Sequence, residues 1–114
     1  MRFLICLLVA ASIASAADEV AAAAKAVLDR SCIQCHGPDK QKSDLRLDSH
    51  AAMLKGGKGG AVVVPGAPEK SALVAAIGWT DEDTRMPPKK KLSDADIAAL
   101  TAWVAAGAIW PDEK

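Results

Sequence analysis

In Cys32-Ile33-Gln34-Cys35-His36 two thiols stand two residues apart and an imidazole follows at once. Four chemistries use such a pair. A zinc site needs four protein ligands, normally with a second Cys or His pair downstream. Only His50 stands there. A redox dithiol of the thioredoxin kind needs a βαβ context, and strand signal is almost absent from this chain. A plain disulfide leaves His36 without a role. Covalent haem attachment uses all three side chains. Each thiol adds across one porphyrin vinyl group to form a thioether. Two intervening residues let both sulfurs reach adjacent vinyls from one turn of chain. The histidine that follows then faces the iron.

The flanking sequence reads as helical. Upstream, Asp18 to Ser31 predicts a helix with Asp18 as N-cap and Val20, Ala24, Val27 and Leu28 on one face. Downstream, Asp44 to Leu54 has room for a helical turn or two. The run Gly56 to Gly60 reads as a flexible loop and lacks the strand–loop–helix context of a phosphate cradle. Val62 to Val64 is the one strand-like run, closed by Pro65-Gly66. Pro68 suits the first turn of a helix reaching about Ile77. Ser93 caps the last helix, with Asp96 as the capping-box residue and Ile97, Leu100, Trp103 and Val104 as its apolar stripe. Gly107 ends it.

Composition fits one small domain. The 114 residues carry no net formal charge, half are apolar, Tyr is absent and Phe3 is the single Phe. Nothing here marks a nucleic-acid surface or a disordered chain. So few large side chains bury little surface alone, and an apolar cofactor would relieve that shortage. Arg2, the apolar run Phe3 to Ala11 and Ala14-Ser15-Ala16 form a secretory signal. The expected division is a signal peptide over 1–16 and one mono-haem domain over 17–114, exported or periplasmic, with no membrane span in the mature chain. Cys6 would leave with the signal, so Cys32 and Cys35 would remain as the only thiols.

A second axial ligand must come from downstream. The candidates are Met53, Met86 and His50. Met86 lies in Arg85-Met86-Pro87-Pro88, where two prolines stiffen the chain and suit a fixed thioether. Met53 reads as a packing residue whose loss should cost little, and His50 as a surface residue. Arg46 is a candidate partner for a haem propionate, because a guanidinium matches a carboxylate in bidentate fashion. The alternative is an ordinary surface arginine. Lys89-Lys90-Lys91 would either steer acidic redox partners or form a solvated face. Trp79 would line the haem pocket or fill the core.

Several stretches in order make the chain resemble the small cytochrome c-like domains of planctomycetes and related bacteria. They are Cys32 through Gly37 and Pro38, then Asp44-Leu45-Arg46-Leu47-Asp48-Ser49 and Val64-Pro65-Gly66. Pro68-Glu69-Lys70-Ser71, Arg85-Met86-Pro87-Pro88 and Leu92-Ser93-Asp94 follow, leading to Ile97 and Trp103. The haem motif is common to many families, whereas the two Leu-Arg-Leu-Asp-Ser and Arg-Met-Pro-Pro stretches in this order are more specific. The resemblance implies an all-α, cytochrome c-like fold whose N- and C-terminal helices cross around one covalent haem c. In it Ala24 and Leu28 would meet Leu100 and Trp103. It also implies Met86 as sixth ligand to the iron, opposite His36. Family domains often continue into large further domains, and a stand-alone carrier is the expectation here. The function expected is transfer of single electrons between redox protein partners, with no catalysis. The alternatives are a peroxidase-like enzyme, with His50 as its distal acid–base group, and a gas sensor in which Met86 dissociates.

Overall fold

The computed structural model describes residues 16–111 of the chain. The expected leader therefore lies, but for Ala16, outside the described residues. Helix α1 spans Ala16–Ser31 and buries Ala21, Ala24, Val27 and Leu28. It starts two residues before Asp18, which sits in the first turn where a carboxylate favours the helix dipole. Helix α2 covers His50–Lys55, α3 covers Ala72–Ile77 and α4 covers Asp94–Ala105. Two short 3-10 turns, Lys42–Asp44 and Pro68–Lys70, complete the regular structure among the described residues.

The helix pair α1 and α4 is the frame of the fold. Ala21 and Ala24 present almost no side-chain bulk, so the α4 backbone can approach closely. Ala24, Leu28 and Leu100 are wholly buried in the same cluster as Trp103, as the expected crossing residues should be. Trp103 also satisfies its indole N–H on the Ile109 carbonyl at 2.7 Å, which binds the chain end back onto α4. Arg30 closes the frame from outside, with guanidinium nitrogens 3.1 and 3.3 Å from the Asp96 carboxylate. Ser93 caps α4 as expected, accepting the Asp96 N–H at 3.1 Å. The Asp96 side chain is engaged by Arg30 as well, so its role goes beyond a capping box.

The middle of the chain departs from expectation in instructive ways. The helix expected from Pro68 to Ile77 breaks at Ser71, which is extended at φ −96°, ψ 119°. Its hydroxyl accepts the Val64 N–H at 2.8 Å and donates to the Ala67 carbonyl at 3.0 Å. Tying the preceding loop outweighs one continuous helix. The Val62–Val64 run forms no strand; its Val62 carbonyl accepts the Leu73 N–H instead. The glycine run is a bonded turn rather than a free loop: Gly57 and Gly60 exchange both backbone hydrogen bonds at 3.0 Å. At Gly56, φ is +82° and a Cβ would strike the Gly60 and Ala61 backbone, so glycine is required there. Among the described residues no helix is long and apolar enough to cross a membrane.

Candidate functional site

The cysteine–histidine motif continues the last turn of α1. Cys32 donates its N–H to the Leu28 carbonyl at 2.9 Å. The Cys32 carbonyl then accepts from Cys35 at 3.2 Å and His36 at 3.0 Å, closing one further turn. Two outside bonds brace that turn: Lys42 N–H to the Cys35 carbonyl at 2.9 Å and Leu47 N–H to the His36 carbonyl at 2.7 Å. Gly37 is buried, and a Cβ there would run into the Ile33 backbone and side chain. The motif therefore has to be followed by glycine.

His36 is oriented through its ring. Nδ1 lies 3.1 Å from the Lys42 carbonyl. A carbonyl only accepts, so in the neutral ring Nδ1 carries the proton and Nε2 keeps its lone pair. Such a bond fixes the tautomer and plane of a metal-binding imidazole.

A cleft of about 520 Å³ opens beside the motif. Cys32, Cys35 and His36 line it, and so do Met86, Pro87 and Pro88. Leu45, Leu47, Val62, Leu73, Ile77 and Leu100 give it apolar walls. The Met86 segment is held by two hydrogen bonds, one of them from Trp79, which does not line the cleft. Its N–H donates to the Ala76 carbonyl at the end of α3 at 3.0 Å. The Trp79 indole N–H donates to the Pro87 carbonyl at 3.0 Å.

The other residues singled out from sequence lie elsewhere. Arg46 is not among the residues lining the cleft; it forks onto Asp48 at 2.9 and 2.6 Å. Met53 is 0 % exposed in the core and does not line the cleft. His50 is half-buried rather than a surface residue. Its Nε2 lies 3.0 Å from the Ala108 carbonyl, and its ring stacks on Trp110 at 5.5 Å. Trp79 is neither in the cleft lining nor in the buried core. Sequence reasoning missed Leu45 and Leu47. Their alternation about Arg46 is the period of an extended segment with one inward face, and it was there to be read.

The donor set tests what the cleft can hold. Burial, and secondarily Cys35, pushes the Cys32 thiol up to about 11, so it is protonated at neutral pH. Thiolate metal sites and reactive dithiols require the opposite shift. Among the described residues no three His, Cys, Asp or Glu side chains gather as a metal site. An apolar slot lined by two cysteines, an oriented imidazole and a thioether matches a large flat apolar group bearing iron.

A second, cationic groove of about 770 Å³ adjoins this cleft. Lys40, Lys42, Lys89, Lys90 and Lys91 line it, with Arg30 and its partner Asp96 at one side. Cys35, Lys42, Pro87 and Pro88 belong to both linings.

No curated protein and no solved structure matches the chain. The family described as planctomycete cytochrome C matches residues 32–90. That span runs from the first motif cysteine through Met86 and both prolines, and so takes in both the motif and the methionine that line the cleft. With more than half its length in that match, the chain belongs to the planctomycete cytochrome C family.

Proposed function

We propose that this chain is an exported carrier of single electrons with one haem c, bound through Cys32 and Cys35 and ligated by His36 and Met86. Family membership supports haem, iron and electron transfer in general. The finer reading rests chiefly on one observation: a single apolar cleft is lined both by the motif at the end of α1 and by Met86 from the loop before α4. When bound, the iron supplies the Fe(II)/Fe(III) couple, and a thioether ligand favours the reduced state relative to a second nitrogen.

The chain's own residues have separate tasks in this reading. Cys32 and Cys35 hold the group covalently, which prevents its loss outside the cell. The Lys42 carbonyl keeps Nδ1 of His36 protonated and Nε2 free to ligate. Leu45, Leu47, Ile77 and Leu100 line the cleft and would exclude water from the bound group. With both His36 and Met86 as ligands, the iron would have no open position for peroxide or oxygen. His50, bonded at Ala108 and absent from the cleft lining, gives a distal acid–base role no support.

The cationic groove supports a docking role in the same reading. Its lysines adjoin the cleft at Cys35 and Pro88, where an acidic redox partner would approach the edge of the bound group.

The attachment claim is tested by haem staining after denaturing electrophoresis of exported protein. The wild type should retain the stain, and the double variant Cys32→Ala/Cys35→Ala should lose it. A double variant that keeps its full stain sinks the claim.

A further inference from the structure

The loop around Met86 is fastened at three points, and one side chain makes two of them. Trp79 follows α3 directly. Its indole N–H donates to the Pro87 carbonyl at 3.0 Å, on the C-terminal side of Met86. The Arg85 guanidinium lies over the Trp79 ring with its carbon 4.3 Å from the centroid, on the N-terminal side. The third fastening is backbone: Met86 N–H to the Ala76 carbonyl, which also accepts the Trp79 N–H at 3.2 Å. One tryptophan thus grips both neighbours of the proposed ligand, while Ala76 ties the tryptophan and the methionine to the same point of α3.

The backbone of Trp79 is a further sign. Its φ is +63°, a left-handed conformation that a bulky residue adopts at a cost. The adjacent Gly78, the residue that would take such an angle freely, has φ −69°. Core packing does not account for holding a tryptophan there, since Trp79 is only half-buried. Its conformation delivers the ring to Arg85 and Pro87.

We infer that Trp79 is the positioning residue of the Met86 ligand, clamping Arg85 and Pro87 so that the thioether stays directed into the cleft. The inference rests on the ligation by Met86 proposed above. Trp79 is not among the residues lining the cleft, so its action runs through the loop.

The test uses the haem-loaded full chain and reads ligand opening, not electron-transfer activity. Carbon monoxide binds reduced iron only when Met86 has left, so its binding rate measures the open fraction. Trp79→Phe keeps the ring under Arg85 and removes the indole N–H. Losing one neutral hydrogen bond should raise the rate about fivefold. Trp79→Leu also removes the ring face and should raise it by roughly ten- to thirtyfold. Arg85→Gln, which loses only the cation over the ring, should raise it about two- to fivefold. In all three the oxidised near-infrared sulfur-to-iron band should persist, weakened most in Trp79→Leu.

Met86→Ala, run alongside, separates the two claims. If it leaves the band intact, the ligation reading fails. If it abolishes the band while Trp79→Leu binds carbon monoxide at the wild-type rate, ligation stands and the clamp is refuted. Should Trp79→Leu fail to accumulate, Trp79→Phe and Arg85→Gln decide: wild-type rates in both overturn the clamp.

Discussion

Met53→Ala and Met86→Ala should separate packing from ligation in opposite directions. Met53 is 0 % exposed within α2 and belongs to the main core, whereas Met86 is 40 % exposed at the cleft. Truncating a fully buried methionine leaves a cavity and costs about 2–5 kcal/mol. In a domain of this size that lowers the melting midpoint by roughly 10 °C or more. The small loss expected from sequence is therefore corrected upward. Met86 gives up far less buried surface, so its packing loss should stay near ~1 kcal/mol. Near-infrared absorption of the oxidised holoprotein and denaturant titration are measured on both variants. Met53→Ala should keep the sulfur-to-iron band and the reduction potential while losing stability. Met86→Ala should lose the band, bind carbon monoxide when reduced and fall in potential, because a nitrogen or oxygen ligand favours Fe(III). A band that survives in Met86→Ala but vanishes in Met53→Ala would reverse the assignment. Unchanged stability in Met53→Ala would refute the account of the core.

Charge reversal of Lys89, Lys90 and Lys91 to Glu should slow reduction by an anionic metal complex about tenfold at low salt and speed it with a cationic one. The difference should collapse near 1 M salt, where screening acts within about 3 Å; equal effects on both complexes would remove the docking role. Asp96 carries an acid-stability prediction. The hydrogen bond from Arg30 holds its carboxyl below the usual range, so the folded state favours the ionised form. That contribution is complete above the unfolded carboxyl range near ~4 and disappears as pH falls through the lower folded value. Asp96→Asn should thus be less stable than wild type at neutral pH, with the gap closing on acidification; a gap constant from pH 7 to pH 2 contradicts the pairing.

What was legible in the sequence follows the range of the interactions involved. The Cys32–His36 motif is readable because its spacing lies within one turn of chain, and the family match begins at Cys32. The buried faces of α1 and α4 are readable because a 3.6-residue period reports burial without naming the partner. Interactions that compete across a distance were not readable. Ser71 looks like an ordinary helical residue until its hydroxyl is seen to serve Val64 and Ala67. Arg46 carries the right group for a propionate, yet Asp48, two residues on, engages its Nε and one terminal nitrogen. His50 looks exposed in a polar stretch, but the chain end returns Ala108 and Trp110 to it. Met86 falls between these cases. Its flanking prolines announce a rigid segment, but what the segment is rigid against lies in Ala76 and Trp79, ten and seven residues earlier. Proline restricts the loop's own backbone and cannot by itself aim a side chain at a site across a cleft. The bonds to Ala76 and Trp79 fix where the segment sits against α3, and no pattern of spacing in the sequence encodes them.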